Sequence, residues 1–222
     1  MKQTLKLHSI SLSIATAIVL YGWSKLPELK ELNELLKSDL LKVFIGAVAS
    51  AGLYKLTIEL IIRISKKIKF VKKIFLGASY LDGTWAGFYI GSGGQVRYYV
   101  EKYEQELDTL VIRGHSYNEL LQYHAWWTAT SVNVDTTKCE ISYMYDCKAI
   151  RDTSNHNGLA VFNFVTGNQK KAPTKLIGYS TDIHIGIRTK SMEVKISDDS
   201  NFDTDKALIK AKELYVANQN TF

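Results

Sequence analysis

Two cysteines and two prolines are all that the 222 residues contain. Two thiols are too few for a disulfide framework or a four-thiolate zinc site. So little proline, with only fourteen glycines, excludes collagen-like and low-complexity chains. Histidine is also scarce: the five stand at positions 8, 115, 124, 156 and 184, and no two have metal-ligand spacing on one helix. The glycine cluster Gly91-Ser92-Gly93-Gly94 is followed by neither Lys-Ser/Thr nor a helix, so it reads as a hairpin turn and not as a phosphate loop. No metal and no cofactor is expected. What is present is 46% hydrophobic and 23% charged residues, which fits neither a disordered tail nor a polytopic membrane protein.

The average hides a join. Residues 1–76 hold 13 Lys+Arg against 5 Asp+Glu, while residues 77–222 hold 15 against 17. The formal charge of +6 is therefore a property of the first third. Its densest part is Arg63, Lys66, Lys67, Lys69, Lys72 and Lys73, directly after an apolar stretch. That placement fits a juxtamembrane cluster facing anionic lipid on the cytoplasmic side. The second part lacks the positive field that binding a DNA or RNA polymer requires. Two domains are expected, a membrane region over 1–76 and a cytoplasmic domain over 77–222.

Ser9 to Ser24 carries no charge and, with a flank from Leu5, is long enough to span a bilayer. Tyr21 and Trp23 suit its interfacial end, and no small-x-small cleavage site follows the apolar core. A second candidate runs from Leu40 to Ile64, with a soluble amphipathic helix as the alternative. Gly46 and Ser50, like Ala47 and Ala51, form small-xxx-small pairs that let helices approach closely in lipid. Lys55 and Glu59 lie one turn apart inside it, and intramembrane charge is costly enough to mark a functional position. Gly46, Ser50, Lys55 and Glu59 are therefore the candidate membrane and oligomerisation residues. The stretch Lys25 to Lys42 is less positive than either flank, which places both termini in the cytoplasm and leaves Cys139 and Cys147 as reduced thiols.

From Asp82 the period becomes two. Strands are predicted at Thr84–Ile90, Gln95–Tyr103, Leu107–His115, Tyr123–Val134, Lys138–Cys147, Gly158–Val165, Leu176–Arg188 and Met192–Ile196, joined by short turn clusters such as Asp135-Thr136-Thr137 and Asn155-His156-Asn157-Gly158. Eight such strands predict an all-β, antiparallel up-and-down barrel, preceded by the two transmembrane helices. A C-terminal helix over Asp203 to Asn218 places Ala207, Leu208, Ala211, Leu214 and Tyr215 on one face and packs over the barrel. Two inward faces are predicted: Cys139, Ile141, Tyr143, Tyr145, Cys147 on the fifth strand, and Ile177, Tyr179, Thr181, Ile183, Ile185, Ile187 on the seventh. Trp85 is read as a plug in the barrel floor.

Catalysis has little support: Cys139 with His115 or His184 is the one nucleophile–base combination, and a strand thiol is more often inert. No enzyme activity is expected. Binding is better supported. The chain carries 4 Trp, 13 Tyr and 8 Phe, mostly in the second part, and tyrosine and tryptophan offer planar faces with a polar handle. Guanidinium groups beside them would grip phosphate. Arg97, Tyr98, Arg113, Trp127, Tyr143, Tyr145, Arg151 and Thr181 are the candidate ligand-binding residues.

Two N-terminal membrane helices, a basic stretch, and Leu81-Asp82-Gly83-Thr84-Trp85-Ala86-Gly87-Phe88-Tyr89 opening an eight-stranded barrel resemble the membrane effectors of bacterial CBASS anti-phage systems, the CD-NTase-associated protein 15 family. The resemblance implies a cytoplasmic barrel that binds a cyclic dinucleotide made by a partner nucleotidyltransferase. Binding would drive homo-oligomerisation and disruption of the inner membrane, and so abortive infection. Two other readings stay open on the residues alone. One is a membrane-tethered, lipocalin-like binder of a lipid or other apolar ligand; the other is an assembly protein whose barrel only docks another protein.

Overall fold

The computed structural model describes residues 3–25, 39–91, 93–150, 155–165, 171–184, 186–220 and 222. The chain divides into two units, Met1–Leu76 and Gly77–Phe222.

In the first unit, α1 (Gln3–Lys25) packs against α2 (Asp39–Lys67), and a shorter α3 (Lys69–Leu76) follows. Lys6–Lys25 and Val43–Lys67 are long and apolar enough to cross a membrane. Their large apolar side chains, among them Leu12, Leu20, Val43, Phe44, Val48 and Leu56, are exposed. The seam between the helices is small and polar instead. Ser11 and Ala15 of α1 are buried, and His8 Nδ1 and the Tyr54 hydroxyl are hydrogen-bonded at 2.5 Å. Polarity inside and apolar side chains outside is the arrangement that lipid favours and water does not.

Two of the expected oligomerisation residues also have contacts within the chain. A Cβ at Gly46 would stand 3.0 Å from Cζ2 of Trp23, so Gly46 serves the α1–α2 contact within one chain. Ser50 is half-buried and donates to the Gly46 carbonyl at 2.6 Å. Lys55 and Glu59 are exposed. The basic segment after α2, expected only as a charge cluster, continues as α3.

In the second unit a single 3-10 turn (Gly77–Ser79) leads into eight strands: β1 (Gly83–Ile90), β2 (Val96–Gln105), β3 (Leu110–Tyr117), β4 (Tyr123–Asp135), β5 (Glu140–Ala149), β6 (Asn155–Phe164), β7 (Lys175–Asp182) and β8 (Arg188–Ser197). Each pairs antiparallel with the next, and β8 closes on β1. Closure removes the exposed edges. One end is filled. Trp85, Tyr103, Ile112, Ile141, Phe162 and Leu176 form a core there, and Trp85 Nε1 donates to the Leu81 carbonyl at 2.8 Å. Trp85 is thus the floor plug that its place on the first strand predicts.

The outward face of β1 and β2 does not meet water. Ala86, Phe88, Tyr98 and Val100 pack against Ala207, Leu208 and Ala211 of α4 (Thr204–Asn218). The helix starts where the sequence places it: Asp203 is the N-cap, its carboxylate accepting from the Lys206 amide at 2.9 Å.

Strand limits differ from expectation most at three places. Leu107 lies in a turn closed by Glu106 N donating to Thr109 O at 2.8 Å, so β3 starts at Leu110. Asn155-His156-Asn157-Gly158 is not a turn but the start of β6, paired with Tyr145 to Lys148. The seventh strand stops at Asp182. Its carboxylate accepts from the His184 amide at 2.8 Å, Gly186 takes a φ of +73°, and Arg188 opens β8 instead.

Candidate functional site

At the end opposite the plug lies a cavity of about 230 Å³ lined from all eight strands. Its walls follow from the strand period and from glycine. Gly87, Gly114 and Gly158 face inward where an aromatic side chain from the neighbouring strand lies flat over them. A Cβ at Gly114 would fall 2.1 Å from Cε2 of Trp127, one at Gly158 2.1 Å from Cζ of Tyr145, and one at Gly87 2.5 Å from Cζ of Tyr99. Large side chains on a narrow barrel would normally cross its interior. Here each ring is laid against the wall over a missing Cβ, and the space they leave is the cavity.

A carboxylate holds the rings in place. Glu101 is fully buried, and its Oε1 accepts from Trp127 Nε1 at 2.7 Å and from the Tyr143 hydroxyl at 2.7 Å. The Tyr103 hydroxyl lies 3.0 Å from Glu101 Oε2 and 2.9 Å from Oε1 of Glu193. Glu193 is equally buried, and its Oε2 has no hydrogen-bond partner among the described residues. Burial pushes the Glu101 carboxyl up, opposed by the donors around it. Burial, reinforced by the charge of Glu101, pushes Glu193 well above the carboxylate range. Two adjacent buried carboxyls do not both ionise. Of the two, Glu193 is held the further above its ordinary value, and the donors converge on Glu101.

Higher in the cavity the groups are hydroxyls, a thiol and one carboxylate. The Tyr99 and Ser191 hydroxyls are hydrogen-bonded at 2.7 Å. Ser116, Ser180 and Thr189 line the wall. Burial, then the Asp182 charge, raises the Cys147 thiol to about 11, so it is a neutral group at physiological pH and not a nucleophile. Asp182 at the mouth lies 3.2 Å from His156 Nδ1. Burial also raises Tyr145, to about 12, and Tyr89. Among the described residues no lysine or arginine lines the cavity, and no three His, Cys, Asp or Glu side chains converge as metal ligands.

The structure divides the predicted ligand residues. Trp127, Tyr143 and Tyr145 line the cavity together. Arg97 shares the inward alternation of β2 and stands at the rim, in register with Tyr89. Tyr98 points the other way, buried under α4 with its ring 6.2 Å from that of Tyr215. Arg113 lies on the outer face of β3 and pairs with Glu104 at 2.7 Å. Thr181 is displaced by one residue of register. The inward face of β7 is Leu176, Gly178, Ser180 and Asp182, so Tyr179 and Thr181 face outward, and Arg188 stacks over Tyr179 at 4.5 Å. Arg151 lies outside the described residues. On β5 the inward face holds Ile141, Tyr143, Tyr145 and Cys147, whereas Cys139 sits in the preceding turn with a φ of +54°. Both thiols are free. Cys139 and His184 lie at opposite ends of the barrel, and His115 is on the outer face of β3.

Glu101, Glu193, Ser116, Ser180 and Asp182 were not anticipated. Glu101 was detectable as an acid at an inward position of an alternating strand, Val100-Glu101-Lys102-Tyr103. The face of β7 was hidden because Ile177 and Ile183 extend an apparent buried row; Ile187, beyond the turn, does line the cavity as expected, and Ile185 lies outside the described residues.

No family model and no curated protein sequence matches the chain. What the geometry defines is a cavity with aromatic walls, hydrogen-bonding hydroxyls and a buried pair of carboxyls at its floor.

Proposed function

We propose that this chain is a membrane-anchored sensor whose barrel captures a small ligand with a flat ring. The observation that carries the reading is the wall of Tyr99, Trp127 and Tyr145 lying over glycines, with Trp127 and Tyr143 fixed by Glu101. Side chains so held form a preorganised stacking surface, which lowers the entropy lost on binding. The two apolar helices provide the anchor.

The resemblance to CBASS membrane effectors makes a cyclic dinucleotide the ligand. The output is then oligomerisation and disruption of the bacterial inner membrane. About 230 Å³ is below the roughly 300–1,000 Å³ of sites that enclose drug-sized ligands. In this reading one base enters, and the phosphates stay at the mouth beside Arg97. A lipid ligand is disfavoured by the carboxyls and hydroxyls of the wall.

The outer stripe of α2 supplies the second step. Phe44, Val48, Ala51, Lys55 and Glu59 share one exposed face at spacings of three and four. Charges facing lipid are expensive. Reciprocal Lys55–Glu59 pairing between two copies would remove that cost, and binding must favour the assembled state to drive it.

The test is calorimetric titration of the full chain in detergent micelles with a panel of cyclic dinucleotides, with oleate alongside. Stoichiometric binding of one cyclic dinucleotide and none of oleate is expected. Binding of oleate alone would replace the reading with a lipid carrier.

A further inference from the structure

The cavity offers charge of one sign. Glu101 at the floor and Asp182 near the mouth line it; Asp182 lies 3.2 Å from His156 Nδ1, Arg97 stands only at the rim, and among the described residues no lysine or arginine is in the lining. Lys148 and Arg188 lie outside, against Trp126 and Tyr179. An anion entering this space would lose its water, find no counter-charge and meet resident carboxylates, each an unfavourable change. The remaining polar groups accept hydrogen bonds. Ser116 Oγ is buried beside the Tyr89 phenol but makes no well-formed hydrogen bond, and Ser180 and Thr189 add hydroxyls across the cavity. A buried polar atom without a partner is a place where a ligand donor gains a full hydrogen bond.

We infer that the cavity selects an uncharged flat ring bearing N–H donors, stacked on Trp127 and Tyr145 and bonded at Ser116, and that it excludes anionic groups, which remain outside the mouth. The inference rests on the cavity being the ligand site, and it names the ligand chemistry that the site takes. It places opposite demands on two parts of one molecule: a nucleobase-like ring inside, phosphate or carboxylate outside.

The experiment is calorimetric titration of the full chain in micelles with guanosine as a neutral donor-bearing ring and benzoate as an anion of similar width. A cyclic dinucleotide is titrated in parallel. Guanosine is expected to bind and benzoate to fail. Ser116→Ala should weaken guanosine by about five- to tenfold, the loss of one hydrogen bond. Asp182→Asn should raise benzoate affinity about tenfold relative to guanosine, because the carboxylate repels the anion and attracts the donors of the ring. Thermal melts confirm that both variants fold, and Ser180→Ala serves in place of either that does not, with a smaller loss of guanosine binding. Equal binding of benzoate and guanosine by the unaltered chain overturns the inference, as does an Asp182→Asn variant that leaves their ratio unchanged. Absence of guanosine binding also overturns it. If a cyclic dinucleotide binds while guanosine and benzoate are not discriminated, the inference falls and the sensor reading stands. Discrimination without cyclic dinucleotide binding does the reverse for the cyclic dinucleotide.

Discussion

Glu101 and Glu193 are nearly equivalent in sequence, each an acid on an alternating strand, yet the structure gives them opposite roles. Glu101 accepts from Trp127 and Tyr143 through a single oxygen, so an amide there keeps one acceptor for them but loses the charge that strengthens both bonds and turns its NH2 toward the Tyr103 hydroxyl. Glu101→Gln is therefore expected to destabilise the barrel by about 2–3 kcal/mol, measured by chemical denaturation at pH 7. Glu193 carries the proton and is mimicked by glutamine. A carboxyl raised in the folded state binds a proton that unfolding releases, so its stabilising effect is full below the unfolded value and declines as pH rises through the folded value. Glu193→Gln should flatten that decline, and its melting temperature should exceed that of the unaltered chain increasingly as pH rises above the ordinary carboxylate range. A greater loss of stability from Glu193→Gln than from Glu101→Gln would reverse the assignment of the proton.

At the scale of elements, some boundaries were legible because a local chemical signal sets them. Asp203 caps α4, and the apolar spacing at Ala207, Leu208 and Ala211 shows which face is buried. Leu208→Ala should cost about 2–4 kcal/mol, read from the denaturation midpoint, since it empties the contact with β1 and β2. Hairpin order was legible for the same reason: short turn clusters leave adjacent strands no other partner. What was not legible depends on a single residue changing parity. In β4 the register shifts between Ala129 and Ser131, so Ala125 and Trp127 face in before the bulge and Val132 and Val134 pack inward after it. No alternation rule survives such an insertion. In β7 the isoleucines beyond Asp182 continue an apparent strand, and only the Asp182 turn and Gly186 end it. Thr181 was assigned to the wrong face for this reason. Arg113 was misassigned because an arginine on a strand says nothing about which side it faces until its partner, Glu104, is known.

At the scale of the molecule, the two units differ in how they use polarity. The barrel hides its carboxyls and lays aromatic rings around a space; the helix pair hides serines and turns apolar side chains outward. That reversal makes the outer stripe of α2 the place where a second copy would be felt. With Lys55 and Glu59 both changed to leucine, the ligand-induced dimer captured by chemical crosslinking in membranes is expected to fall at least about fivefold, while ligand affinity of the barrel stays within about twofold. Unchanged crosslinking would place the contact on another surface. Sequence alone separated these two units by charge, but it could not show that Gly46 lies against the Trp23 ring of α1, because that depends on where Trp23 lands.

The central claim is that ligand enters the barrel, and Gly114 tests it most directly. A methyl group there would collide with the Trp127 ring and push it into the cavity, at a stability cost of about 1–3 kcal/mol. The measurement is calorimetric titration of the full-length Gly114→Ala chain, confirmed folded by its melting transition, with the cyclic dinucleotide that binds the unaltered protein. A loss of affinity of about tenfold or more is predicted. Unchanged affinity would mean that the ligand binds elsewhere and that the cavity is not the site.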